Sequence, residues 1–454
     1  MSLKSINPAD GNTIETPTAH TALQMEYAIE QAHQAFPEWS TTHLDQRCRY
    51  LHEIALALRN KKEELARLCT LEMGKLYKES LAEIEKCAQG CEYYADHGAE
   101  FLAHEAIASD AGNSYIRYQA MGTILAVMPW NFPFWQVFRF AAPALLAGNT
   151  IVLKHASNVP QCALAIEQII RSTGIPYDVF HTLLIPSSWV ARVIADPRIH
   201  AITLTGSEAA GRAVAGVAAQ HLKKTVLELG GSDPFVVLDD ADLDLAVKNA
   251  VLSRFMNAGQ SCIAAKRFIL VEAIADEFIR RFKQAVEVLI PGDPMQEGTT
   301  LAPMSRHDLR DELHEQVLDA LSKGAIAVAG CLPGAGNGAF YQASILDRVI
   351  PGMRAYDEEL FGPVAIILRA SDEIEAMQLA NNTRFGLGGS IWTQDKVRGE
   401  KLAHQLQCGA AFVNGMVKSD PRLPFGGIKD SGYGRELSRY GLYEFMNIRT
   451  IWIR

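Results

Sequence analysis

The sequence predicts an α/β protein of two successive domains, each a largely parallel sheet wrapped by helices, with a short β-prone segment at the end of the chain. Three observations carry this. Residues 22–106 show only helical periodicity. From residue 123 short apolar runs alternate with helix-length segments, in two separate series. The final "EFMNIRTIWIR" is again apolar and β-prone. The length of 454 residues agrees, being more than one compact core organises.

The leading helices are amphipathic. "RYLHEIALALRNKKEELARLCTLEMG" places its apolar residues at helical spacing and ends on Gly74, a natural stop. The first strand series is "TILAVMP", "NTIVLKH", "VFHTLLI", "HAITLTG" and "KKTVLELGG". A loop, "ELGGSDP", marks the boundary, and "KRFILVE", "AIAVAG", "FGPVAIILR", "GGSIWT" and "GAAFVNG" form the second series. Binding loops in such sheets lie at the carboxyl ends of the strands. A strand at a chain terminus needs a pairing partner, and a second subunit is the expected one.

Composition narrows the function. Hydrophobic residues make up 48% and charged residues 21%, as in soluble globular proteins, and a net charge of -9 leaves no basic footprint for nucleic acid or anionic membrane. Apolar patches such as "FAAPALLAG" stop short of a membrane span, and "MSLKSINPADGNT" lacks the apolar core of a signal peptide, so a cytoplasmic enzyme of small molecules is expected. The eight scattered cysteines read as free thiols, with Cys87 and Cys91 packing one helix face.

Several side chains can carry chemistry. Cys262, in "FMNAGQSCIAAKR", is either a nucleophile presented by a tight polar loop or a buried structural thiol. Glu228 ends an apolar strand just before two glycines, as a general base or as half of a salt bridge. Asn131 precedes the helix that opens near Pro133 and can cap it or donate to an oxyanion. Trp135 and Arg139, four residues apart, share a face of that helix and can wall a substrate tunnel. Gly206 and Ser207 lie between a strand and a helix, where amides meet a pyrophosphate, and Lys154 ends a neighbouring strand.

Taken in order, "PWNFP", "LK" after a strand, "TGS", "ELGG", "GQSC", "EELFGPV" and "PFGGIKDSGYGRE" make the whole chain resemble the aldehyde dehydrogenase superfamily. The resemblance implies two Rossmann-type three-layer α/β domains and a small β oligomerisation arm. Residues 1–106 and 123–227 would bind NAD(P), 228–438 would be catalytic, and 107–122 with 439–454 would form the arm of a homodimer or homotetramer. It implies Cys262 as nucleophile, Glu228 as general base and Asn131 as oxyanion donor, with no metal. Glu359 is implied at the nicotinamide ribose, Phe361 against the ring, and Trp130, Lys154, Gly206, Ser207 and Leu229 along the rest of the cofactor groove.

Within the family the chain resembles succinate-semialdehyde dehydrogenases. That implies oxidation of a small semialdehyde, with Arg139 pairing the distal carboxylate, Trp135 beside it and Ser419 in the anchor loop. Mammalian-type members add an arginine six residues before the nucleophile; here Met256 stands there, and Arg254, Lys418 and Arg422 are candidates to compensate. NAD-preferring relatives often place Glu three residues after the strand-end lysine. Here Ser157 stands there, so both NADP and NAD are expected to serve, with His155 a further candidate for a phosphate. The alternative is a broader aldehyde dehydrogenase acting on other small aldehydes or semialdehydes.

Overall fold

A computed structural model describes residues 3–454. The predicted two α/β units and the β appendage are all present. The first sheet has six strands in the order Gly432–Tyr433, Lys224–Glu228, Ile199–Thr205, Thr123–Met128, Thr150–His155 and Phe180–Thr182. All run parallel except Gly432–Tyr433, which returns from far along the chain to pair antiparallel with Lys224–Glu228. Its strands read as continuous apolar runs because helices cover both faces.

Strand order places the site. After Thr123–Met128 the chain builds outward to one side through Thr150–His155, then crosses back to Ile199–Thr205 on the other. The crevice between the carboxyl ends of Thr123–Met128 and Ile199–Thr205 is therefore the switch point at which such sheets bind ligands. Residues 129–131 and 205–207 lead out of those two ends.

The second sheet has seven strands, Ile326–Ala329, Ser344–Asp347, Val364–Ala370, Ala265–Val271, Asp233–Val237, Gly388–Trp392 and Ala410–Val413. Two of them, Asp233–Val237 and Ser344–Asp347, go beyond the sequence reading. The first follows the glycine loop so closely that it reads as part of it, and the second is only four residues long. Ile326–Ala329 is an antiparallel edge strand rather than a member of the parallel series.

A third sheet pairs Met446–Ile453 with Asn113–Ala120 over eight residues, with Glu105–Ala106 beyond. The amphipathic stretch before Gly74 forms two helices, Leu44–Asn60 and Lys62–Met73, broken at Lys61. Gly74 ends the second in a left-handed conformation, φ 91°. No helix among the described residues is long and apolar enough to cross a membrane.

Candidate active site

The loop before Cys262 carries a run of left-handed backbone. Asn257, Ala258 and Gly259 all have positive φ, 54°, 51° and 73°, a conformation that only glycine adopts without steric penalty. Buried side chains hold it. Asn257 Nδ2 donates to the carbonyls of Asn131 (2.9 Å) and Gln260 (3.1 Å). The Glu79 carboxylate accepts from the Asn257 amide at 3.2 Å. Gln260 Nε2 donates back to the Asn257 carbonyl, and its Oε1 accepts from the Ser305 amide. Fully buried Arg254 donates to the carbonyls of Gly259 and Ala265. It is a clamp on this loop, which removes it as a substitute for the arginine that Met256 replaces.

Past the loop, Lys266 Nζ donates to the carbonyls of Ser261 (2.9 Å) and Cys262 (2.7 Å) and pairs with Glu359 at 2.9 Å. The two glycines after Glu228 are sterically required. A Cβ on Gly231 would lie 2.6 Å from the Cys262 carbonyl oxygen, and one on Gly230 would lie 2.5 Å from Glu359 Oε2. The end of one sheet and the start of the other are thus pressed together around the thiol.

Cys262 lies in the wall of two cavities. One is a cleft of about 420 Å³ at the switch point, lined also by Trp130, Asn131, Gly206, Ser207, Leu229, Glu359 and Phe361. Trp130 and Phe361 meet edge to face at 5.8 Å. Ser207 caps the helix Glu208–Gln220, so the positive end of that helix opens beside the cleft. The other cavity, about 190 Å³, is mainly apolar, with Phe132, Trp135, Met256, Ile263, Met416 and Phe425 in its wall beside Arg139 and Ser419.

Asn131 does not cap its helix. The first amides there, of Phe134 and Trp135, donate instead to Glu83 Oε1 at 2.8 and 3.0 Å. Asn131 Nδ2 donates to the Gln260 carbonyl at 3.1 Å, which fixes the side chain and leaves its second N–H available beside Cys262. Glu228 is buried, and neither carboxylate oxygen has a hydrogen-bond partner. Burial, reinforced by the nearby Glu436 carboxylate, holds its pKa well above the ordinary value. Burial also pushes the Cys262 thiol up to about 12, against the opposing pull of Arg139 and Lys266.

The remaining expected residues divide. Lys154 and exposed Ser157 stand at the end of Thr150–His155, outside the cleft lining. Lys154 is 8% exposed, makes no hydrogen bond or ion pair among the described residues, and burial lowers its pKa. His155 is closed to a phosphate. One ring nitrogen faces the Pro133 carbonyl and the other accepts from the Ala156 amide, and burial drops it to about 4. Arg139 lines the apolar pocket, but its guanidinium forms an ion pair with buried Glu436 and donates to Thr205 Oγ1 at 3.1 Å. Exposed Arg422 pairs with Asp420. Lys86, Glu436 and Lys266 escaped the sequence reading. Only Lys86 had a signal, since Glu79, Glu83 and Lys86 form a charged row at helical spacing on a face otherwise buried.

A thiol set between a dinucleotide-type cleft and an apolar pocket, with an amide donor beside it, defines a cysteine-dependent dehydrogenase. The chain belongs to the aldehyde dehydrogenase family, whose model matches residues 1–451. It is 49% identical over the full length of both chains to a Synechocystis protein named "Probable succinate-semialdehyde dehydrogenase [NADP(+)]". It is 48% identical to the Escherichia coli succinate semialdehyde dehydrogenase [NAD(P)+], over 99% of this chain and 97% of that one. Among solved structures, the succinic semialdehyde dehydrogenase of Streptococcus pyogenes in complex with NADP+ superposes with a TM-score of 0.97 at 38% identity, covering 99% of each chain.

A carboxyl whose folded pKa is raised adds stability below its unfolded pKa and loses it as the pH climbs through the folded one. Glu228→Gln is therefore expected to melt above the wild type at about pH 8.5, with the gap closing toward about pH 4.5. Calorimetric melting across that range checks it.

Proposed function

We propose that the protein oxidises succinic semialdehyde to succinate with NADP or NAD. The observation that carries this is the place of Cys262 in the walls of both cavities, so that an aldehyde in the apolar pocket and a dinucleotide in the cleft meet at one sulfur. The names of the relatives supply the substrate.

The cleft residues suit a dinucleotide. Trp130 and Phe361 offer faces to the nicotinamide end, Glu359 an acceptor for ribose hydroxyls, and Ser207 with the helix after it a seat for phosphate. Lys154, without an acidic partner, and Ser157 suit a ribose with or without a 2′-phosphate. When bound, the dinucleotide supplies the hydride acceptor that turns a thiohemiacetal into a thioester.

The chain does the rest. The Cys262 sulfur bonds to the aldehyde carbon, the thiol proton passes to solvent through the cleft, and the carbonyl electron pair moves onto oxygen, to which Asn131 Nδ2–H and the Cys262 amide N–H donate hydrogen bonds. Such preorganised donors are worth about 3 kcal/mol each. Glu228, its pKa raised by burial, lies outside both cavity linings, so it serves as a base in its ionised form once it turns toward Cys262. It then takes a proton from water, the water oxygen bonds to the thioester carbon, and the C–S bond breaks to free the acid and the cysteine. The apolar walls favour a second reading, broader oxidation of uncharged aldehydes. The free edge of Met446–Ile453, with Ile448, Trp452 and Ile453 exposed, supports assembly of subunits through the β arm.

Two measurements test this. A spectrophotometric panel should give succinic semialdehyde a kcat/KM at least about tenfold above that of pentanal, and equal values favour the broader reading. Ser157→Glu should lower kcat/KM with NADP by about tenfold or more while sparing NAD, because a carboxylate repels a 2′-phosphate; an unchanged NADP value removes Ser157 from the cofactor site.

A further inference from the structure

We infer that Lys86, together with Ser419, forms the seat for the distal carboxylate of the substrate. This deepens the proposed semialdehyde oxidation and rests on it. Three cations lie in the wall of the apolar pocket: Lys86, Arg139 and Lys418.

Arg139 already has its anion. It is 3% exposed, ion-paired to Glu436, bonded to Thr205 and stacked over the Phe425 ring at 4.9 Å. A substrate carboxylate on this guanidinium would bring a second buried carboxylate beside Glu436, with Glu228 close enough to feel both. Lys418 is exposed and directs no hydrogen bond into the pocket.

Lys86 differs from both. It projects from the helix Tyr77–Phe101, and no Asp or Glu among the described residues lies within ion-pair distance of its ammonium. Its contacts are Ser419 Oγ at 2.6 Å and the Trp135 ring face at 4.4 Å. The nearby carboxylates are occupied elsewhere: Glu83 by Lys75 and two helix amides, Glu79 in the same pocket wall by the Asn257 amide, and Asp420 by Arg422.

The hydrogen bonds then identify what is missing. Ser419 Oγ accepts from Lys86 Nζ and also from Trp135 Nε1 at 3.1 Å, so both its lone pairs are used and its O–H is left to donate. Lys86 keeps two further N–H donors. The cluster has donors to spare, carries a positive charge and faces a pocket with apolar walls, which is the complement of a carboxylate. Burial and the neighbouring Arg139 push the Lys86 ammonium down to about 8, a penalty that an arriving anion relieves.

Lys86→Met keeps the stem and removes the charge. Its KM for succinic semialdehyde should rise about 10–100-fold with kcat within about twofold, KM for pentanal should stay level or fall, and Lys86→Arg should recover most of the loss. A KM that is unchanged for succinic semialdehyde, or that rises equally for both aldehydes, overturns the seat. Succinate binding by calorimetry reads the seat without turnover. Wild type should bind and Lys86→Met should bind at least about tenfold more weakly, whereas equal affinities, including none for either, overturn it. A wild type that binds succinate through Lys86 yet shows no preference for the semialdehyde would instead sink the proposed function alone. If Lys86→Met does not fold, Ser419→Ala answers the same question, with a smaller selective rise in KM expected and an unselective one contradicting the seat.

Discussion

The site depends on one constraint, the left-handed run Asn257–Gly259. Two non-glycine residues in that conformation cost about 1–2 kcal/mol each, and the run persists because its polar groups are locked from several directions. The lock is also the alignment. Asn257 Nδ2 donates to the Asn131 carbonyl while Asn131 Nδ2 donates to the Gln260 carbonyl, so the loop of Cys262 and the loop of Asn131 position each other. Strain stored at the site is offset by bonds that also set its geometry.

Around that lock the protein keeps an unusual amount of buried charge. Lys266 ties two loop carbonyls to Glu359, while Arg254 and Arg267, both fully buried, donate mainly to backbone carbonyls. Arg139 balances Glu436, and Glu228 beside them is left without a partner. An unpartnered buried carboxyl destabilises the fold, and carboxyls held so far from their ordinary pKa cluster at functional sites. Function here is set against local stability.

Much of this was legible in the sequence, for physical reasons. Parallel strands buried on both faces read as apolar runs, so the central strands and their carboxyl ends were visible, and with them Asn131 and Glu228, while Cys262 stood out in the small polar loop before Ala265–Val271. Motif order added the family. Short or edge elements such as Ser344–Asp347 and Gly432–Tyr433 carry too few residues for a pattern. Long-range polar partners were hidden altogether: Glu83 capping a helix 51 residues away, and Glu436 neutralising Arg139, are meetings that only the fold creates. The substrate residues were hardest to read because a charge in a sequence does not reveal whether another charge has already claimed it.

The central claim is that Cys262 carries the acyl group between the two half-reactions. Mass spectrometry of Glu228→Gln, quenched after mixing with succinic semialdehyde and NADP, tests it most directly. The account predicts a single succinyl increment on the peptide containing Cys262, absent when the dinucleotide is omitted. An unmodified Cys262 alongside reduced cofactor, or an increment on any of the other seven cysteines, would contradict it.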